Sequence, residues 1–305
     1  MMLMILTILG LCLFETISSI DNAIINAEVL STMGQKARRF FLFWGIIIAV
    51  FLIRGLLPWA IVWIVNPSLG PIDALTATFS GDSAVLASVE KSAPILLCGG
   101  GIFLVFLFFH WLFLEEKNYG LPHEKFFFKK GVWFFAVASI VLTGVIWITI
   151  NLNPLAAFGA AVGSSAFFIT HGFKQNAEMK EKELTKKHLS DLSKIFYLEV
   201  IDTTFSIDGV IGAFAFTLSV PLILLGNGLG AIVVRQMTIG NIQRIKKYIY
   251  LKNGAMYSIF FLGTFMLLES FGLSMPKWAS PVITFLLVAY FFFKSKLALK
   301  ASLVK

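Results

Sequence analysis

Long apolar runs alternate with short polar stretches along the chain, and the runs have the length of a bilayer crossing. Nine segments can be drawn, near residues 3–30, 40–65, 92–114, 132–150, 155–172, 195–217, 220–238, 253–271 and 280–295. The expected fold is all-α, a polytopic integral membrane bundle of about nine transmembrane helices. The first run has no basic residues ahead of it and no small-residue cleavage site, so it reads as a retained span. Residues 66–91 are less apolar and carry Asp73, Asp82 and Glu90. They fit either an outside loop, with Asp82 as a helix cap, or a re-entrant helix lining a cavity. Residues 174–194 read as a mixed-charge, partly helical cytoplasmic linker.

The polar positions inside the runs repeat. Glu15-Thr16-x-x-Ser19-Ile20-Asp21-x-x-Ile24 recurs as Asp202-Thr203-x-x-Ser206-Ile207-Asp208-x-x-Ile211, at a constant offset of 187 residues. The next run of each half ends alike, GIIIAVFLIR at Arg54 and GNGLGAIVVR at Arg235. Alternating spans place the two motifs in opposite orientations, which predicts an inverted repeat with a site near the midplane where the halves meet. Three parts follow: residues 1–115 as the first membrane repeat, 116–194 as two linking spans and the cytoplasmic linker, and 195–305 as the second, inverted repeat with a final span.

Composition supports the membrane reading. Of 305 residues, 58% are hydrophobic and only 14% charged, which excludes an ordinary soluble protein. The net charge of +8 invites a nucleic-acid reading, but 22 of the 25 basic residues fall in five stretches, 31–39, 115–131, 174–194, 235–252 and 294–305. Their alternation with nearly uncharged connections is a topology signal, so nucleic acid is not an expected partner. With these stretches inside, a multi-pass cell-membrane protein has its N-terminus outside and its C-terminus in the cytoplasm. Cys12 and Cys98 sit singly in apolar runs and read as packing residues.

Five of the 17 acids, Glu15, Asp21, Glu199, Asp202 and Asp208, lie in the first and sixth spans, where carboxylates are costly and usually face a partner or an aqueous path. On an unbroken helix Glu15, Ser19, Asn22 and Asn26 form one stripe, and Glu199, Asp202, Thr203 and Ser206 another. A break near Ser19–Asp21 or Ser206–Gly209 would bring the second acid of each motif toward the first. The first span, about 42 Å for 28 residues, is also too long for a straight crossing. Carboxylates, amide and hydroxyls are hard oxygen donors suited to Mn²⁺, Ca²⁺ or Mg²⁺. The candidate metal-site residues are therefore Glu15, Ser19, Asp21, Asn22, Glu199, Asp202, Ser206 and Asp208. Arg54 is a supporting ion-pair candidate, and Arg235 is expected to snorkel to the boundary. His110 and His171 read as interfacial or hydrogen-bonded residues. No enzyme is expected: the G-x-G-D element of aspartyl intramembrane proteases is absent, and no Ser–His arrangement is specific.

ETISSIDNAIINAEVL and DTTFSIDGVIGAFAFT closely resemble the two acidic signatures of the TerC-like integral membrane proteins. FLFWGIIIAVFLIRGLLP, GGGIFLVFLFFHWLFLEEK and VVRQMTI followed by YLKNGAMYSI look like an uncharacterised-domain branch of that family, within the LysE-like transporter superfamily. The resemblance implies inverted three-helix repeats, export of divalent cations, chiefly Mn²⁺ and in some members Ca²⁺, and an association with tellurite resistance. It maps the family's acids onto Glu15, Asp21, Asp202 and Asp208, with Gly209-Val210 in place of a Ser-Ile pair.

The expected function is a secondary transporter that exports a divalent cation, manganese first, in exchange for protons. Its partners are the lipid bilayer, the ion and protons, with a homo-oligomer or a membrane-protein partner compatible. No resident cofactor is expected. The alternatives are a non-transporting scaffold or stress-resistance component, and an exporter of a small organic solute.

Overall fold

The computed structural model describes residues 2–47, 54–65, 70–76, 83–184, 190–240 and 245–303. Every regular element among them is helical. They are α1 Met2–Ser18, α2 Ile20–Ser31, α3 Gln35–Ile47, α4 Arg54–Val65, α5 Pro71–Thr76, α6 Ser83–Leu114, α7 Pro122–Phe128, α8 Phe134–Leu152, α9 Pro154–Leu184, α10 Asp191–Ala213, α11 Val220–Gly240, α12 Leu251–Ser270 and α13 Ala279–Leu303.

Six helical stretches of 19 to 23 residues are long and apolar enough to cross a membrane: Ala93–Leu114, Gly131–Leu152, Pro154–Asn176, Val220–Thr238, Leu251–Ser270 and Ala279–Ala301. The bent pair α1 and α2 supplies a seventh if taken as one span. The expected nine are thus not all reached by length and composition among the described residues. The segment at 40–65 is represented by α3 and the short apolar α4, with residues 48–53 outside the described part. Most of the segment at 195–217 lies in α10, whose acids Asp191, Glu199, Asp202 and Asp208 lower its apolar character. Of the stretch at 66–91, α5 and the first turns of α6 are described. Asp82 and the side chain of Glu90 lie outside the described residues.

Helix α6 is the centre of the bundle, with every residue from Ile102 to Phe108 buried. A helix that is apolar on all sides belongs either inside a bundle or against lipid, and its neighbours decide which. Around α6 pack α9, α12 and α8, and the rings of Phe103 and Phe106 meet Phe167 edge-on. By contrast α8 leaves Phe135, Ile140, Trp147 and Ile150 exposed, an outward face of the kind lipid covers.

Lipid tails are as apolar as Leu, so close packing holds membrane helices together. The α6–α9 crossing uses Gly159 and Gly163, spaced as in a small-xxx-small seam. A Cβ on Gly163 would fall on the carbonyl oxygen of Gly99, and one on Gly99 would lie 2.8 Å from that of Gly159. Backbone meets backbone there, with no flexible side chain to give way. Gly163→Ala should cost about 1–3 kcal/mol through overpacking, read as a lowered unfolding midpoint in detergent. A midpoint equal to wild type would contradict this packing.

Polar ties link the five basic stretches, one of them through Glu28, three residues ahead of the first stretch. Gly34 N–H donates to Asp191 at 3.2 Å, Lys194 to Thr32 Oγ1 at 3.0 Å, and Lys246 to Glu28 at 2.8 Å. Lys252 donates to Glu115 at 2.7 Å, and Lys294 to the carbonyl of Gly120. Cations also close helix ends: Arg38 Nε reaches the Leu30 carbonyl at 3.1 Å, and Lys117 reaches that of Leu112 at 2.9 Å. Both pairings answer the unsatisfied carbonyls and negative dipole of a helix C-terminus.

Candidate functional site

The first acidic motif folds as a broken helix. Thr16 Oγ1 turns back to the Cys12 carbonyl at 2.7 Å, Ser18 Oγ to that of Glu15 at 3.3 Å, and Ser19 sits between α1 and α2 with φ −91° and ψ 5°. Hydroxyls that bond back to the preceding turn bend helices, and here the axes differ by 57°. The second motif differs. Helix α10 runs unbroken from Asp191 to Ala213, so the possible break at Ser206–Gly209 does not occur. There too Ser206 Oγ donates to the Asp202 carbonyl one turn back at 2.6 Å, and Thr203 to that of Glu199 at 2.7 Å, so the same back-bonding is accommodated without a break.

Glu15 is fully buried, and its Oε1 accepts from Ser19 Oγ at 2.7 Å. Its other oxygen lies against α10: a Cβ on Gly209 would sit 2.6 Å from Glu15 Oε2. A Cβ on Gly230 of α11 would sit 2.6 Å from Glu15 Cβ. Two glycines therefore make the slot that admits this carboxylate. Asp202, 6% exposed, accepts through Oδ1 from Asn22 Nδ2. Glu15 thus meets position 209 while Asn22 meets position 202, so the first span and α10 pass in opposite directions. Asn227 Nδ2 reaches the Gly209 carbonyl at 3.5 Å, which adds α11 to the seam. Among the described residues the buried amide oxygens of Asn22, Asn26 and Asn227 have no hydrogen-bond donor.

The structure therefore brings together Glu15, Ser19, Asn22 and Asp202, with Asn227 and the two glycines, while Asn26 is buried one turn beyond Asn22 on α2. It places Ser206 beside Asp202 but commits its hydroxyl to the backbone. Two acids go elsewhere. Glu199 lies 3.9 Å from Arg235, whose guanidinium sits 4.1 Å over the Phe41 ring and donates to the Phe41 carbonyl at 3.5 Å. Arg235 is buried at a junction of α3, α10 and α11 and does not snorkel. Gly45 makes the room, since a Cβ there would strike both Arg235 and Glu199. Asp208 lies 3.6 Å from Lys174 of α9. The side chains of Asp21 and Arg54 lie outside the described part. No three His, Cys, Asp or Glu side chains among the described residues form a metal-binding group. A cation at the seam would thus rest on two carboxylates supplemented by amide oxygens.

Sequence reasoning passed over Asn227 and Gly230, although GNGLG inside an apolar span was visible. It also passed over a second polar region. Its outer part is Glu115, paired with Lys252 and 3.6 Å from His110 Nδ1. Burial alone would raise the Glu115 carboxyl, but His110, Lys252 and Lys174 together hold it well below the ordinary 4.5. A carboxyl with a depressed folded-state pKa contributes stability above its unfolded value and loses it on acidification. Below about pH 4.5 the unfolding midpoint of wild type should fall, and the fall should be shallower in Glu115→Gln. Parallel curves for the two proteins would contradict the pairing.

No curated protein and no solved structure matches the chain. One family model does, over residues 20–301, and it overturns the resemblance to TerC-like and LysE-like proteins. The acidic signatures that suggested those families are short, whereas the match spans nearly the whole chain. The metal preference and tellurite association that came only with that resemblance fall with it. The chain belongs to the family described as protein of unknown function (DUF475).

Proposed function

We propose that this chain is a secondary transporter that moves a divalent cation suited to hard oxygen donors, Mn²⁺, Ca²⁺ or Mg²⁺, in exchange for protons, through the seam between the broken first span and α10. The observation that carries the reading is a set of hard oxygen donors inside an apolar bundle. Two buried carboxylates, Glu15 and Asp202, share a seam with amide oxygens of Asn22, Asn26 and Asn227 that have no donor among the described residues. Unsatisfied buried acceptors are costly, and a cation supplies the missing positive partner. Asp21, at the start of α2, remains a ligand candidate from its motif position.

The same contacts support a nine-span inverted repeat. The offset of 187 carries Glu15 onto Asp202 and Asn22 onto Gly209. The contact of Glu15 with Gly209 and that of Asp202 with Asn22 are therefore exchanged by the repeat, as a two-fold axis in the membrane plane requires. Counting α1–α2, α3–α4 and α10 with the six long apolar stretches gives nine. At 23 residues α10 is about 35 Å long, enough for a crossing. The ties among the five basic stretches support a common cytoplasmic side, with the N-terminus outside.

A scaffold reading draws on Glu199 and Asp208, each of which meets a cation across a helix boundary. Reconstitution separates the two. In proteoliposomes with an imposed pH gradient, wild type should show saturable Mn²⁺ flux with opposing proton movement. Absence of saturable flux for Mn²⁺, Ca²⁺ and Mg²⁺ under gradients of either sign would sink the transport reading.

A further inference from the structure

Away from the Glu15–Asp202 seam, α6 and α9 place two histidines against each other. The ring centroids of His110 and His171 are 3.9 Å apart, with planes at 53°. Aromatic side chains enclose them: Phe134 meets His110 edge-on at 5.6 Å, and Phe167 stacks on His171 at 5.7 Å and 7°. His110 is nine-tenths buried, and its Nδ1 has no hydrogen-bond partner among the described residues, with Glu115 Oε1 3.6 Å away. At one end of the pair stands Glu115–Lys252, at 2.7 Å. At the other is Lys174, one turn beyond His171 on α9 and 3.6 Å from Asp208 of α10. Among the described residues, these two ion pairs are the charges facing the histidines from α9, α10, α12 and the end of α6. The described part of α8 carries no titratable side chain.

Two imidazoliums in contact repel, so protonation of one ring opposes protonation of the other. Imidazole is also the side chain that accepts and releases a proton near neutrality. A metal is a poor occupant, because Glu115 is engaged by Lys252 and no third ligand completes a group among the described residues.

We propose that His110 and His171 form a proton-transfer pair carrying one shared proton between the Glu115 end of the bundle and the space beside Lys174 and Asp208. A proton arriving at the Glu115 end adds to the lone pair of His110 Nδ1 and makes an imidazolium. His110 then gives a ring proton to the free nitrogen lone pair of His171 and returns to neutral. His171 releases that proton beside Lys174 and Asp208, which are 22% and 16% exposed. Each step moves one proton and leaves the pair's charge at +1 or zero. In the exchange cycle, on whose reading this role rests, the proton route lies apart from the cation seam.

The test has two arms. The first needs no transport: NMR of ¹⁵N-labelled histidine in the intact detergent-solubilised protein, which has four histidines, with His123→Gln and His188→Gln used for assignment. Wild type should bind one proton on the 110–171 pair between pH 5 and 8. His110→Gln or His171→Gln should leave the remaining ring titrating in a single step, without the coupling between the two rings. Two protons bound independently by the pair in that window would overturn the proposal. The second arm follows proton movement with an entrapped pH dye while a Mn²⁺ gradient is applied. His171→Gln should reduce proton movement at least tenfold while Mn²⁺ binding by calorimetry stays within twofold. Proton movement at wild-type rates in both His171→Gln and His110→Gln would also overturn it. A wild type that moves no protons under Mn²⁺ sinks the transport reading instead, and the shared proton then stands or falls on the titration.

Discussion

Asp202→Asn should lower Mn²⁺ affinity about 100-fold, equivalent to ~2.8 kcal/mol, and abolish measurable flux while leaving the fold intact. The substitution keeps the shape of the side chain, and its amide oxygen still accepts from Asn22 Nδ2, so the helix contact that depends on that bond persists. What disappears is one of two negative charges at the seam, in a low-dielectric setting where a divalent ion depends on them most. Glu15→Gln should behave alike, because Ser19 Oγ can still donate to the amide oxygen. Calorimetry for binding, proteoliposome flux for transport and thermal unfolding for the fold give three independent readings. The reverse pattern, with binding kept and the unfolding midpoint lowered by many degrees, would assign the two acids to packing and favour the scaffold.

The largest stability effect is expected far from the seam. Glu124 is fully buried in α7 and accepts three hydrogen bonds: from the Gly120 amide at 2.7 Å, Asn253 Nδ2 at 2.9 Å and the Tyr257 hydroxyl at 3.1 Å. With its proton given to Glu124, Tyr257 accepts from His123 Nε2 at 2.6 Å. Glu124→Ala orphans three donors and opens a cavity between α7 and α12. A buried donor left unsatisfied costs about 1–3 kcal/mol, so a loss of roughly 3–5 kcal/mol is expected, short of the sum because neighbours relax. Glu124→Gln keeps an acceptor oxygen and should lose less. Chemical unfolding in detergent measures both, and equal stability of Glu124→Ala and wild type would mean that the cluster contributes nothing net.

The all-helical, multi-pass character was legible because it depends on run length and side-chain polarity, both of which are local properties. The repeat motif also pointed to Glu15, Ser19, Asn22 and Asp202, since a polar side chain in an apolar span needs a partner. Which partner it meets depends on helix crossings that no local pattern encodes. Glu199 and Asp208 share the span with Asp202, yet the packing of α3 brings Phe41 and Gly45 to the Arg235–Glu199 site, and α9 brings Lys174 to Asp208. Lys174 opens a charged linker stretch and Glu124 sits in another. There, abundant charge masks the single residue that turns inward. His110 and His171 are 61 residues apart in the chain, and only the glycine crossing of α6 and α9 makes them neighbours.

The break at Ser19 distributes the seam over two levers. Glu15 travels with α1, whereas Asn22 and Asn26 travel with α2, and the two rods join at one residue in a sparsely populated backbone conformation. A 20° change in the bend would swing the far end of α2, about 18 Å away, by roughly 6 Å. Asn22, about 4.5 Å from the joint, would shift by roughly 1.6 Å against Asp202 while Glu15 stayed in its glycine slot. An ion held between them would lose its amide ligands before its carboxylate on the rigid rod, so release would begin from the α2 side.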